Sequence, residues 1–168
     1  DSGSTDGTVE IAQGRGIAPI RIPKAEFNYS TSLNLGIENS RGPLLVMLSA
    51  HALPCGTDWL GRIISHFADP GLAGVFCRQI PFPDANYAEV LRLEKVFGPE
   101  SRTFSSPTQG LPAFSNAASC IRRVRWQEHP FVVLPAAEDY EWAKWAIENG
   151  HLIVYDAESV RCFNPDGE

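Results

Sequence analysis

The chain has 168 residues, of which 43% are hydrophobic and 20% charged, and its formal net charge is −6. This is the composition of one soluble globular domain, large enough to bury a core. Arg122, Arg123 and Arg125 form its one basic cluster, so the chain lacks the basic stripe of a nucleic-acid-binding protein, and no nucleic acid partner is expected.

Hydrophobic periodicity divides the chain into alternating helices and strands. The chain opens with a turn at 1–8 and a short helix capped by Thr5 or Asp6. The predicted strands lie at 17–22, 44–48, 72–77, within 114–121 and at 152–155. The predicted helices lie between them at 30–39, 57–67, 86–97 and 137–149, and a mobile loop is predicted at 101–111. Because strands alternate with helices, the pattern predicts an α/β, Rossmann-like fold with a mostly parallel sheet and helices on both faces.

The chain begins directly in a loop, whereas such a loop in an α/β domain normally follows a buried strand. We therefore expect residues 1–168 to be an excerpt of a single domain that lacks its N-terminal strand. The longest apolar run, at 43–48, is far shorter than the ~20 residues of a membrane helix. Any membrane association is expected to come from parts of the protein outside this sequence.

The four cysteines are widely spaced, at positions 55, 77, 120 and 162. They form no C-x-x-C pair, and a disulfide framework is not expected in a domain of this size. We interpret them as reduced thiols that mostly fill the core of a cytoplasmic protein.

The first turn offers several groups to a ligand. Its glycines let the backbone approach closely, and the side chains of Asp1, Ser2, Ser4 and Asp6 can hydrogen-bond a base or a ribose. The alternative is a capped helix start after a turn. The segment is neither a P-loop nor a G-x-G-x-x-G dinucleotide motif.

This segment resembles the D-x-G-S-x-D-G-T motif of the family 2 nucleotide-sugar glycosyltransferases. Further segments resemble that family in its order and at its spacing: Asn34-Leu35-Gly36-Ile37 with Arg41-Gly42, the strand 44–48, Phe114-Ser115-Asn116-Ala117 with Ile121-Arg122-Arg123 and Trp126, and Glu138-Asp139. The resemblance covers nearly the whole chain and implies the GT-A fold. It also implies an inverting enzyme, hexosyl- or rhamnosyltransferase-like, that serves a cell-surface polysaccharide.

The resemblance also implies roles for individual residues. Asp1 and Ser2 contact the nucleotide, and Ser49 and His51 occupy the two aspartate positions of the metal-binding D-x-D motif. Asp139 is the general base, with Glu138 beside it. Arg122 or Arg123 is a further candidate for a contact with the diphosphate or the acceptor.

Physical chemistry supports a catalytic acidic pair. A carboxylate must take the proton of the attacking hydroxyl, and a position in the first turn of a helix favours its ionised form. The alternative is that Glu138 and Asp139 merely complement the helix dipole. The expected partners are a nucleoside-diphosphate sugar and a sugar or lipid-linked glycan acceptor, and the expected location is the cytoplasm or the inner face of the membrane.

The D-x-D position departs from the family because it reads Ser49-Ala50-His51. Mg²⁺ and Mn²⁺ prefer carboxylate oxygens, so a divalent cation is doubtful. Three interpretations stay open. The enzyme binds metal weakly through His51, it uses His51 or Lys144 as the positive charge, or the domain binds nucleotide sugar silently without turnover. An unrelated dinucleotide-binding domain is disfavoured by the missing glycine motif.

Overall fold

The computed structural model describes residues 1–50 and 52–163. Its helices are α1 Thr8–Gly14, α2 Tyr29–Glu38, α3 Trp59–Ser65, α4 Tyr87–Val96, α5 Arg123–Glu128 and α6 Glu138–Glu148. Its strands are β1 Leu44–Leu48, β2 Ala52–Pro54, β3 Leu72–Pro81, β4 Arg102–Phe104, β5 Ala118–Arg122 and β6 Leu152–Phe163. Short 3₁₀ turns lie at Lys24–Glu26, His66–Ala68 and Pro107–Gln109.

The strands form one sheet in the order β1-β5-β3-β6-β2, and β4 also pairs with β6. β1, β3 and β6 run in one direction, because β5 is antiparallel to both β1 and β3 while β3 is parallel to β6. The sheet is therefore more mixed than the sequence predicted. Strand direction depends on how the connections cross the molecule, and periodicity does not encode it.

Helices cover both faces of this sheet, as predicted. On one face α2, α4 and α6 contribute Ile37, Leu93 and Trp142 to the larger hydrophobic cluster. On the other face α3 packs Trp59 and Ile63 on the sheet in a second cluster. The α/β fold class is thus confirmed.

Close packing in the larger cluster depends on Gly74 in β3. A Cβ added there would lie 3.2 Å from Phe114, Ile121 and Trp142. Because Trp142 is fully buried, its indole has no room to retreat, and the missing side chain lets α6 settle on the sheet.

Several predicted elements differ in the structure. No strand forms at 17–22, where Asp1 makes the backbone hydrogen bonds to Ile20 and Ile22. The loop predicted at 101–111 contains β4. Its residues pair with residues 153–155 of β6, about 50 positions further along the chain. Such long-range pairing leaves no local signal in three residues.

The described cysteines form no disulfide. Cys77 and Cys120 are buried in the core, and burial raises the pKa of Cys120 to about 12. Its thiol therefore stays protonated, and both side chains fill core as predicted. The reduced state of the cysteines stays a prediction. Within the described residues, no helix combines the length and the apolar character needed to cross a membrane.

Candidate functional site

A cavity of about 900 Å³ opens where β1 ends and α6 begins. Because β1 and β5 are antiparallel, the end of β1 lies beside the start of β5. The cavity is lined by Ser2 of the first turn, Ser49 after β1, Asn116 before β5, and Glu138 and Asp139 of α6. The fold thus brings together four segments that the sequence singled out separately.

Ala137 aims the acidic pair into this cavity. Its φ of 69° and ψ of 27° are left-handed, and it is the one non-glycine residue with positive φ among those described. The conformation costs roughly 1–2 kcal/mol for an L-residue. The Ala137 carbonyl accepts the Glu141 N–H at 3.0 Å, so α6 starts at once and presents both acids from its first turn.

Two backbone N–H groups hold Asp139. Asn116 N–H donates to its Oδ2 at 3.1 Å, and Tyr140 N–H donates to its Oδ1 at 2.8 Å. Burial raises the pKa of Asp139 above its ordinary value, and these hydrogen bonds oppose the rise. The result is a carboxylate with a strengthened proton affinity in a fixed orientation, which suits a general base.

Glu138 is the more enclosed member of the pair, with 6% of its surface exposed. Burial raises its pKa, and the neighbouring charge of Asp139 raises it further. Since two adjacent carboxylates repel when both are ionised, proton binding at one affects the other.

Ser49 lies at the cavity where the D-x-D motif was expected. Its N–H donates to the Ala117 carbonyl at 3.0 Å, whereas His51 falls outside the described residues. Within the part of the chain that the structure covers, no group of three or more His, Cys, Asp or Glu side chains is placed to hold a metal. A serine hydroxyl is also a weak ligand, so the described donors do not fit a carboxylate site for Mn²⁺ or Mg²⁺.

The predicted nucleotide-binding residues lie close together at the first turn. The Asp1 carboxylate accepts the N–H groups of Gly3 and Ser4 at 3.1 and 3.2 Å. Asp1, Ser2 and Ser4 line a second cavity, of about 600 Å³, and Ser2 borders both cavities. Their role in nucleotide binding stays a prediction.

Asp6 lines neither cavity. Its carboxylate accepts the Thr8 N–H at 3.0 Å at the start of α1. Hydrogen bonds from the Thr8 side chain and backbone lower its pKa. Gly7 is the N-cap residue of α1, so the predicted cap by Thr5 or Asp6 is wrong, and the Asp6 bond closes a turn just before the helix. A contact between Asp6 and nucleotide stays a prediction.

Arg92 of α4 is the one cationic side chain that lines the larger cavity among the described residues. Its guanidinium lies 4.0 Å from the Glu89 carboxylate and is 56% exposed. The sequence pattern predicted only an amphipathic helix here. The sequence carries no signal that singles out Arg92, because its place at the cavity depends on where the fold puts α4.

The structure gives no support to a contact of Arg122 or Arg123 with substrate. Both lie at the opposite end of β5 from the cavity, since Leu44 pairs with Arg122 and Leu48 with Ala118. The Arg122 guanidinium donates to the carbonyls of Phe67, Asp69 and Leu72. The Arg123 guanidinium donates to the carbonyls of Ile37 and Gly42 and to the Ser40 hydroxyl. Both arginines tie loops to the sheet.

Lys144 is also remote from the cavity. Its ammonium lies 3.8 Å from Glu148 on the exposed side of α6, and the residue is not part of the cavity lining. The interpretation in which Lys144 supplies the positive charge therefore loses its support.

The four tryptophans pack instead of lining the site. Trp59 and Trp142 are buried in the core. Trp126 is also buried and donates its indole N–H to Asn34 Oδ1 at 2.9 Å. Trp145 stacks on His129 with ring centroids 4.7 Å apart. None of these rings lines either cavity.

Comparison with known proteins identifies the family. The sequence-family model of "Glycosyl transferase family 2" matches residues 1–126, three quarters of the chain. The chain therefore belongs to glycosyltransferase family 2.

Two curated relatives are O-antigen chain rhamnosyltransferases. RfbN of Salmonella typhimurium is 28% identical over 173 residues, covering 95% of this chain and 54% of the relative. WbaN of Salmonella anatum is 30% identical over 174 residues, covering 96% and 54%. The chain thus spans about half the length of the curated relatives it matches.

Solved structures confirm the GT-A fold. The mannosyltransferase PcManGT from Pyrobaculum calidifontis, in complex with GDP-Man and Mn²⁺, superposes with a TM-score of 0.68 at 21% identity, covering 96% of this chain and 45% of that one. Glucosyl-3-phosphoglycerate synthase from Mycobacterium tuberculosis, in complex with Mn²⁺, UDP and glucosyl-3-phosphoglycerate, gives 0.65 at 14% identity, covering 98% and 59%.

Proposed function

We propose that the protein transfers a sugar from a nucleoside-diphosphate donor to a hydroxyl acceptor with inversion, with Asp139 as general base. The observation that carries the proposal is the position of Asp139, held by two backbone N–H groups at a cavity that Ser2 and Ser49 also line. Three family motifs thus converge on one space large enough for a ligand.

The reaction follows from the chemistry of the acidic pair. As the acceptor oxygen bonds to the anomeric carbon, its proton passes to Asp139, and the bond from that carbon to the diphosphate oxygen breaks. The transition state resembles an oxocarbenium ion. A base held on the face opposite the leaving group gives inversion. Glu138 lies beside the base and keeps the local charge negative toward the sugar cation.

The departing diphosphate needs a positive partner. Among the described residues of the cavity, Arg92 alone can supply one, and we assign it to a phosphate group of the substrate. Two solved structures of this fold contain Mn²⁺, one together with GDP-Man and the other together with UDP. The Ser49 hydroxyl is a weak ligand for such a cation, so we expect donor binding to depend only weakly on Mn²⁺.

Rhamnose is the sugar we propose for the donor, because both curated relatives are rhamnosyltransferases. The acceptor is then a sugar hydroxyl or a lipid-linked glycan in the assembly of a cell-surface polysaccharide. We place the reaction in the cytoplasm, at the inner face of the membrane where a lipid-linked acceptor is available.

We also propose that residues 1–168 form part of one GT-A domain whose sheet continues past β1. In the described part of the chain, β1 pairs on one side only, with β5. Val46 and Leu48 of the same strand are 41% and 48% exposed. A further strand beside β1 would satisfy its free backbone groups and cover these side chains.

A silent nucleotide-sugar-binding domain is the second candidate, favoured by the serine at the D-x-D position. The full-length protein is titrated calorimetrically with rhamnose linked to UDP, GDP and dTDP, each with Mn²⁺ and with EDTA, and transfer to a glycan acceptor is then assayed. Selective binding of one donor followed by transfer supports the enzyme. Binding without transfer or hydrolysis supports the silent domain, and binding of no donor contradicts both.

A further inference from the structure

We propose that Asn116 is the positioning residue of the acidic pair, fixing Asp139 through its backbone and Glu138 through its side-chain amide. The inference rests on the proposed function, because it concerns how the base of that reaction is held. It starts from the placement of Asn116 in the cavity wall immediately before β5, with 9% of its surface exposed.

The backbone of Asn116 provides the first contact. Its N–H donates to Asp139 Oδ2 at 3.1 Å across 23 residues of sequence. This bond favours the ionised carboxylate, which is the form that a base requires. The position of Asn116 therefore decides how well Asp139 is oriented and ionised.

The side chain of Asn116 is fixed from behind. The hydroxyl of Ser119, which is fully buried in β5, donates to Asn116 Oδ1 at 3.1 Å. Because that hydroxyl occupies the amide oxygen, the amide nitrogen is turned the other way. Ser119 in turn is held on both sides, by the pairing of β5 with β1 and β3.

The amide nitrogen is the unexplained group. It is buried and makes no well-formed hydrogen bond among the described residues, a state that destabilises a folded protein. It is nevertheless close enough to Glu138 to lower the pKa of that carboxyl against the effect of burial. A buried donor beside a buried carboxylate is explained if it completes its hydrogen bond to Glu138 when both acids are ionised.

The other titratable side chains that line the cavity are Arg92, Tyr29 and Tyr140. None of them makes a described hydrogen bond to the carboxylate oxygens of the pair. Asn116 is thus the one described residue that reaches both acids from outside α6.

The test uses Asn116→Ala and Ser119→Ala in the full-length protein, with Asn39→Ala as the matched control. Asn39 is exposed at the end of α2 and bonds only the Leu35 carbonyl. Carboxyl ¹³C shifts are followed by NMR as the pH is varied, and the pH profile of kcat is measured in parallel. Donor binding by calorimetry shows that each variant is folded.

Asn116→Ala is expected to raise the apparent pKa values of the pair, to move the acid limb of kcat upward by about one pH unit, and to lower kcat about tenfold, with KM for donor little changed. Ser119→Ala shifts the same quantities in the same direction by less, and it tests the proposal even if Asn116→Ala does not fold. Carboxyl titrations in both variants that superimpose on those of the wild type would overturn the proposal. If the titrations shift while the wild-type protein transfers no sugar, the positioning role stands and the proposed function fails.

Discussion

The backbone N–H of Ser49 donates to the carbonyl oxygen of Ala117 at 3.0 Å. This bond joins the end of β1 to the segment that precedes β5, one residue after Asn116. The position of the altered metal motif is therefore coupled through two peptide units to the residue that holds the candidate base. A substitution that moves either segment is therefore expected to shift the position of the other.

Replacing Ala137 with glycine tests the strained start of α6. Glycine adopts positive φ without steric cost, so Ala137→Gly is expected to raise the free energy of unfolding by about 1 kcal/mol. We expect kcat to fall at the same time, because a more flexible residue orients Glu138 and Asp139 less firmly. Chemical denaturation and steady-state kinetics on one preparation measure both effects. A variant that is less stable than the wild type would show that the left-handed conformation is not strained.

The raised pKa of Asp139 predicts how stability depends on pH. A carboxyl whose pKa is higher in the folded state binds its proton more tightly there, so its contribution to stability is lost as the pH rises through the folded pKa. Asp139→Asn should therefore raise Tm at neutral pH, and the gain should shrink as the pH falls below that pKa.

Thermal unfolding between about pH 4 and about pH 8 measures this dependence. Asp58→Asn is the control, because the exposed Asp58 carboxylate pairs with Arg62. The hydrogen bond from Arg62 lowers the pKa of Asp58. It should change stability in the opposite sense at neutral pH. A gain in Asp139→Asn that is the same at every pH would argue against a raised pKa.

Ser49→Asp tests the altered metal motif. Because hard divalent cations prefer carboxylate oxygens, we expect Mn²⁺ to strengthen nucleotide binding at least about tenfold more in this variant than in the wild type. Ser49→Asn offers a neutral side chain of similar size and serves as the control. Titration with nucleoside diphosphate in Mn²⁺ and in EDTA gives the comparison. A wild-type protein that already loses binding in EDTA as fully as the variant would mean that its motif holds metal well.

Arg92→Ala tests the source of positive charge in the cavity. A charge-assisted hydrogen bond contributes about 1.5–3 kcal/mol, so the variant should weaken binding of the nucleoside diphosphate about tenfold or more and leave binding of the nucleoside unchanged. Lys95→Ala removes a charge from the same helix, at an exposed position that does not line the cavity. Equal effects of the two substitutions would show that Arg92 acts only through net charge. If Arg92→Ala impairs only the acceptor, the phosphate it binds belongs to the acceptor.

Local patterns were sufficient for much of the fold. The predicted helices around Leu93 and Trp142 are present, because their apolar residues repeat at the spacing that one buried face requires. The strand Leu44–Leu48, which a continuous apolar run predicted, is also present, although only alternate residues of it are buried. The helix that carries Glu138 and Asp139 was also predicted, since first-turn carboxylates and a following Gly150 mark a helix, whereas the family resemblance singled out the pair itself.

Features set by the tertiary structure were not predictable in this way. The antiparallel direction of β5 depends on the path of its connections. The left-handed conformation of Ala137 leaves no signal in the sequence, because alanine is not among the residues that favour it. The bond between Asn116 and Asp139 links residues 23 positions apart, and Arg92 became a site candidate only when the fold placed α4 beside the cavity.

In the proposed reaction, Asp139 takes the proton of the acceptor hydroxyl. The most direct measurement is sugar transfer by the full-length Asp139→Asn protein, with donor binding measured on the same sample. A general base contributes about 10²–10⁴-fold to the rate, so transfer should fall by at least about a hundredfold while donor affinity stays near the wild-type value. Transfer at the wild-type rate in this variant would contradict the role of Asp139 and, with it, the mechanism proposed for the site.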